Sequence, residues 1–153
     1  WGYSVVNGAT TIWERWNGWT KEGGPGNVNM NSYSHYAYGA VVEWMFDTIA
    51  GIDHGTCGFQ HFTLRPLPGG SLTHAEATYY SPYGTIRSAW KKNGGQTRYE
   101  FTVPPNTQAT VRLPVRDLTD VTLDGEPLEK HGITPDADGG FTLPAGEYLL
   151  VTP

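Results

Sequence analysis

With 153 residues, of which 38% are apolar, 13% aromatic and 16% charged, the chain has the material for a folded core, which excludes an intrinsically disordered polymer. Its formal charge of −5, without any cluster of Lys or Arg, excludes the concentrated positive surface that a nucleic-acid partner requires. No run of about 18 apolar residues occurs, and no basic start leads into an apolar stretch, so neither a membrane span nor a signal peptide is expected.

The length suits one domain, or a compact domain carrying a piece of another. A start at Trp1 without Met points to the second arrangement. Cys57 is the single cysteine and has no partner for an internal disulfide.

Residues 1 to 30 are rich in aromatic residues and glycine and show no sustained period. They hold the stretch "TTIWERWNGW", Thr10 to Trp19, in which three tryptophans stand three residues apart around Glu14 and Arg15. The stretch closes in "KEGGPGNVNMNS", whose Gly-Gly-Pro-Gly run reads as loop. That run is not a phosphate loop, since no Gly-Lys-Ser/Thr follows it.

From Ser34 to Ala50 the pattern becomes helical, with Ala37, Val41, Trp44, Met45 and Thr48 on one side and Glu43 and Asp47 opposite. Asn31, Ser32 or Ser34 supplies an N-cap, and Gly51 a stop. Tyr36, Tyr38, Ala40, Phe46 and Ile49 widen the apolar band, so the helix expects neighbours on several sides. The β half, another subunit or protein beyond these residues would provide them, and we take the third.

Beyond Ile52 the period falls to two. Phe62 and Leu64, then Ile86, Ser88 and Trp90, then Tyr99, Phe101 and Val103, then Ala109, Val111 and Leu113 alternate with polar residues, as half-buried strands do. Turn chemistry separates them at "SPYG" (81–84), "KNGG" (92–95), "PPN" (104–106), "LDGE" (123–126) and "LPAGE" (143–147). The expected fold class is therefore mainly β: an antiparallel β-sandwich of about eight short strands over residues 53–153, preceded by a loop-rich segment and one long α-helix.

Glu14 is the residue that asks for a chemical account. A carboxylate among indoles is costly to desolvate unless something pairs with it. One reading is structural, with Arg15 or a nearby backbone amide neutralising the charge inside an ordinary core. The other is that indole faces stack on the C–H faces of a sugar ring and the carboxylate acts on its glycosidic bond.

Glycoside hydrolysis uses two carboxyl groups, and none of Glu22, Glu43, Asp47 and Asp53 is a convincing second. Each is more simply a solvated surface charge. His35, flanked by Tyr33, Tyr36 and Tyr38, either caps the helix or meets a sugar hydroxyl. Asn27, Asn29 and Asn31 add amides to the same approach. His54, Cys57 and His61 offer three ligands without a fourth, so no metal site is assigned.

The runs "GYSVVNGATTIWERWNGW", "MNSYSHYAYGAVVEWMFDTIAGI" and "FTLRPLPGGSLTHAEATYYSPYGTIRSAWK" resemble the carboxyl-terminal part of bacterial α-L-rhamnosidases of glycoside hydrolase family 78, over about residues 1 to 115. The resemblance implies an (α/α)6 catalytic barrel followed by a β-sandwich. Residues 1–52 would be the end of the barrel, with its last inner helix, and 53–153 the sandwich domain.

It also implies hydrolysis with inversion, shared between two glutamates. Glu14 would be the general base and the general acid would lie upstream of these residues. His35 would contact rhamnose, and Trp13, Trp16 and Trp19 would shape the pocket. No cofactor is implied.

The partners expected are rhamnose-containing glycosides and the rest of the barrel, with self-association through the uncovered helix face. The isolated chain should be inactive. The alternative is a non-catalytic sandwich, either structural or sugar-binding through Tyr79, Tyr80, Tyr83 and Trp90.

Overall fold

The computed structural model describes all 153 residues, which form two compact units, Trp1–Glu43 and Trp44–Pro153. The first unit has little regular structure. It contains a short α-helix, Gly2–Val6, that the sequence pattern did not announce and that lacks a side-chain cap. A two-stranded hairpin joins β1 (Trp19–Thr20) to β2 (Gly24–Pro25). The Gly-Gly-Pro-Gly run is thus partly paired rather than wholly loop, because Thr20 Oγ1 accepts from Gly23 N–H at 3.0 Å and Gly24 supplies the positive φ of the turn.

The expected long α-helix is a single helical run of changing pitch. Residues Tyr36–Ala40 are 3-10, Val41–Trp44 are α, and Met45–Ala50 are π-helical. No Asn or Ser caps it: His35 occupies the N-cap position without a side-chain bond. The stop at Gly51 is as expected, with φ of 81°.

In the second unit the alternating strands form two sheets. One has six antiparallel strands in the order β10-β9-β12-β7-β6-β5, built from β5 (His74–Ser81), β6 (Gly84–Asn93), β7 (Gln96–Val103), β9 (Thr122–Leu123), β10 (Glu126–Pro127) and β12 (Gly146–Thr152). The other has the order β11-β8-β4-β3, from β3 (Ile52–His54), β4 (His61–Leu64), β8 (Gln108–Val111) and β11 (Phe141–Leu143). These are ten strands where the pattern predicts about eight, since two-residue strands leave no period to read. One pair, β4 with β8, is parallel, because the chain completes three strands of the other sheet between them.

Between the sheets lie Phe62, Leu64, Ile86, Trp90, Tyr99, Phe101, Ala109, Val111, Phe141, Leu143 and Leu150, all buried. Most are the inward positions of the period-two pattern. The turns hold as read: "KNGG" closes the β6–β7 hairpin at the Asn93–Gln96 pair, and Asp124 and Gly125 both take positive φ between β9 and β10.

The sandwich also satisfies the end of the helix. A helix leaves its last four carbonyls without internal partners. Here Thr48 O accepts from Leu67 N (3.0 Å), Ile49 O from Trp90 Nε1 (2.7 Å), Ala50 O from Ser88 Oγ (2.5 Å) and Gly51 O from Arg65 N (2.8 Å). The π-helical turn, Met45–Ala50, thus ends on donors supplied from outside the helix. Arg65 also bridges Asp47 (2.7 Å) and Asp53 (3.0 Å), so these two carboxylates are ion-paired rather than free surface charges.

On the opposite face of the six-stranded sheet, Arg87 joins Glu76 (2.8 Å) and Glu100 (3.0 Å), and Arg98 joins Glu100 (3.0 Å). The bond from Arg87 holds the carboxyls of both Glu76 and Glu100 below their ordinary value.

Two expectations follow for unfolding measurements. At Gly51 an added Cβ would lie 2.0 Å from Pro66 N, in a backbone conformation L side chains disfavour. Gly51→Ala should therefore lower stability by more than about 2 kcal/mol. Trp90→Phe should cost about 1–3 kcal/mol by orphaning the Ile49 carbonyl, before any packing loss. An unchanged urea midpoint for either variant contradicts this.

The second expectation concerns pH. Because folding depresses Glu76 and Glu100, their contribution is full above the ordinary carboxyl value near 4.5 and is lost as pH falls through the lower folded values. Arg87→Gln should flatten the fall of Tm with acidification below pH about 4.5. The difference should be small and should shrink in high salt, since these groups are partly exposed.

Candidate functional site

The first unit is organised by backbone pairing between residues 11–14 and 32–35. Thr11 Oγ1 donates to Tyr33 O, His35 N–H donates to Ile12 O (2.8 Å) and Glu14 N–H to Ser32 O (2.8 Å). In return Ser32 N–H donates to Glu14 Oε2 at 2.8 Å. Glu14 is thus held by a backbone amide. Arg15, the other neutralising group considered, makes no ion pair with it and is exposed. Oε1 is left without a protein donor.

A turn follows directly, with Gly18 N–H donating to Arg15 O at 3.1 Å. Trp13 packs edge-on against Tyr33, with ring centres 5.6 Å apart, and Trp16 edge-on against Trp1 at 5.0 Å. The result is a cleft of about 280 Å³ lined by Trp1, Trp13, Glu14, Arg15, Trp16, Asn17 and Tyr38. That is close to the lower bound of about 300 Å³ for small-molecule sites, a size for one ring rather than an extended chain.

Trp16 keeps 59% of its surface exposed, which leaves an indole face open beside the carboxylate. Glu14 is the only carboxylate among the lining residues. Glu22 and Glu43 are exposed elsewhere, and Asp47 and Asp53 are engaged with Arg65.

Of the residues singled out from sequence, Glu14, Trp13 and Trp16 come together in this cleft. His35 is half-buried, and its ring lies 5.1 Å from that of Tyr38, which lines the cleft. Trp19 is half-buried in β1, opposite Pro25, and is not among the lining residues. Asn27 closes a local turn by accepting from Asn29 N–H (2.9 Å), whereas Asn31 turns inward and donates to Gly18 O (2.8 Å).

Trp1, Asn17 and Tyr38 were not singled out as lining. Trp1 stands 12 residues ahead of Trp13 and outside its spacing, and Tyr38 falls within an apparent helix face.

The sandwich has a cleft of about 680 Å³, but its Glu76, Arg87, Arg98 and Glu100 are paired with one another. Trp90 is 1% exposed and its N–H is committed to Ile49 O, while Tyr79 packs on Phe59 at 4.5 Å. Of the four aromatics proposed as a platform, Tyr80 alone is broadly open. No group of three His, Cys, Asp or Glu side chains is arranged to hold a metal ion. No helix is long and apolar enough to cross a membrane.

Two family models match the chain. The bacterial alpha-L-rhamnosidase 6 hairpin glycosidase domain matches residues 1–49, and the bacterial alpha-L-rhamnosidase C-terminal domain matches residues 51–126. An alpha-L-rhamnosidase of Formosa agariphila is 42% identical over 126 residues, covering 82% of this chain and 14% of that protein. One of Streptomyces avermitilis is 45% identical over 114 residues, covering 74% and 11%.

Among solved structures, Streptomyces avermitilis alpha-L-rhamnosidase complexed with L-rhamnose matches with a TM-score of 0.82 at 36% identity, over 100% of this chain and 15% of that one. The alpha-L-rhamnosidase of Dictyoglumus thermophilum matches with 0.75 at 27% identity, over 98% and 17%. The chain therefore spans a small part, between 11% and 17%, of each of these relatives.

Proposed function

The chain belongs to the bacterial α-L-rhamnosidase family, and from that membership we propose that it forms part of an inverting enzyme in which Glu14 is the general base. The observation that carries the proposal is the state of the Glu14 carboxylate. One oxygen is fixed by Ser32 N–H, the other has no protein donor, and both stand in an aromatic cleft of single-ring size. A general base needs this arrangement, in which a carboxylate is oriented by the protein and still has a free lone pair for water.

In the same reading, residues 1–52 complete the end of an (α/α)6 barrel and residues 53–153 are its β-sandwich. Terminal α-L-rhamnosyl groups of glycosides are the substrate. Trp13 and Trp16 offer apolar faces to the sugar ring, His35 offers a ring nitrogen to a hydroxyl, and Trp19, though not among the lining residues, helps to shape the pocket. No cofactor takes part.

Inversion requires a second carboxyl group roughly 6.5 to 9.5 Å from the first, to protonate the leaving oxygen while water attacks the opposite face. The cleft contains one carboxylate, so the acid comes from other parts of the full-length protein. Loss of general-acid assistance costs about 10²- to 10⁴-fold, and loss of positioning costs more.

The test compares p-nitrophenyl α-L-rhamnoside hydrolysis by the full-length protein, its Glu14→Gln variant and the isolated 153-residue chain. We expect kcat of Glu14→Gln to fall by at least about 10³-fold with rhamnose still bound, and the isolated chain to be inert. Near-normal kcat for Glu14→Gln would mean that the carboxylate is a structural partner of Ser32. Turnover by the isolated chain would show that the acid lies within these residues.

A further inference from the structure

Three donors converge on the carbonyl oxygen of Gly18: Gly26 N–H at 2.7 Å, Asn31 Nδ2 at 2.8 Å and Tyr33 Oη at 2.6 Å. A carbonyl oxygen has two lone pairs, so three short donors are more than simple satisfaction requires. Asn31 Nδ2 also lies 3.0 Å from Tyr33 Oη, which ties the two side chains to each other.

The remaining atom of the Asn31 amide, Oδ1, is buried and has no donor. It sits so close to Gly18 that an added Cβ there would be 2.7 Å from it. A buried acceptor without a donor is destabilising and rare enough to call for a reason. An amide that tolerates this is present for what its donor side holds.

What it holds is the frame of Glu14. Gly18 ends the turn that begins at Arg15, immediately after Glu14. Ser32, whose N–H clamps Glu14 Oε2, lies between Asn31 and Tyr33. Both neighbours of the clamping amide are therefore bonded to the carbonyl that ends the turn behind the carboxylate. The arrangement closes a ring: Glu14 to Ser32 directly, and Ser32 back through Asn31 and Tyr33 to Gly18.

We propose that Asn31 and Tyr33 are positioning residues for Glu14, fixing the Ser32 amide so that Oε2 is immobilised and Oε1 is the oxygen that takes the proton from water. This rests on the reading of Glu14 as general base. It predicts a kinetic signature distinct from loss of fold. Side chains that act only through the base should change the chemical step and leave ground-state sugar binding to the indole faces alone. Misplacing a reacting group by about 1 Å costs on the order of 10²-fold.

The experiment uses the full-length protein with Asn31→Ala and Tyr33→Phe, each alone and in the Glu14→Gln background, assayed on p-nitrophenyl α-L-rhamnoside with thermal melts alongside. Tyr33→Phe removes one hydroxyl and keeps the ring that packs on Trp13, so it guards against a misfolded Asn31 variant. We expect each single variant to lower kcat by about 10- to 100-fold with KM within about 3-fold. In the Glu14→Gln background each should change the residual rate by less than about 3-fold, because the group they position is gone.

Unchanged kcat in Tyr33→Phe overturns the proposal, as does a full loss that persists in the Glu14→Gln background. If Glu14→Gln alone proves neutral, the reading beneath has failed too, and that single variant tells the two failures apart.

Discussion

The end of the helix depends on one accounting constraint: four consecutive carbonyls, from Thr48 to Gly51, have no intrahelical donors and must find them elsewhere. They find them in Leu67 N, Trp90 Nε1, Ser88 Oγ and Arg65 N. Ser88 and Trp90 are inward positions of β6, surrounded by the core, so the donors are themselves immobilised by packing. Gly51 then turns the chain with a left-handed φ that brings its Cα against Pro66, where no side chain fits. Helix end, turn and first strand are thereby fixed by a core that lies mostly later in the sequence.

The first unit is held together differently. Its buried residues are Ser4 and Gly18, and Trp1, Tyr3, Val5, Val6, Trp16 and Tyr36 all expose much of their apolar surface. What order it has comes from hydrogen bonds between residues 11–14 and 32–35 and from the node at Gly18. An open indole is a liability in an ordinary core and an asset beside a sugar ring, since flat apolar surface is most useful to a ligand while it is uncovered.

Much of the second unit is legible in the sequence, for a physical reason. In a sandwich, side-chain direction alternates strictly, so Ile86, Ser88, Trp90, Tyr99, Phe101 and Val103 disclose one face by spacing alone, and Gly and Asn mark the turns. The short strands β9 and β10 and the parallel β4–β8 pair were not legible, since two residues carry no period and parallel pairing depends on partners distant in sequence.

The helix shows the limit of periodicity in another way. Residues 34–50 carry α spacing, yet the end of the run is π-helical where its carbonyls turn to outside donors. At the cleft, the density of Trp around Glu14 was visible as an oddity. Its clamp was not, because Ser32 acts through its backbone amide, and a backbone donor leaves no signature in residue type.

Both accounts of Glu14 include that clamp, since a backbone amide pairs a structural carboxylate and orients a catalytic one. Glu14 Oε1 takes no protein donor and stays open to solvent, so leaving it uncommitted carries no desolvation cost. Glu14 commits one oxygen, to a donor whose two neighbours are pinned to Gly18, and faces a cleft with the other. The buried, unpaired Oδ1 of Asn31 belongs to the amide that donates to Gly18 O, and turning that amide to satisfy it would release the turn. Within the proposal that Glu14 is the general base, the clamp sets the direction of the carboxylate and the open Oε1 supplies the lone pair for water, in a unit with almost no core to hold either by packing.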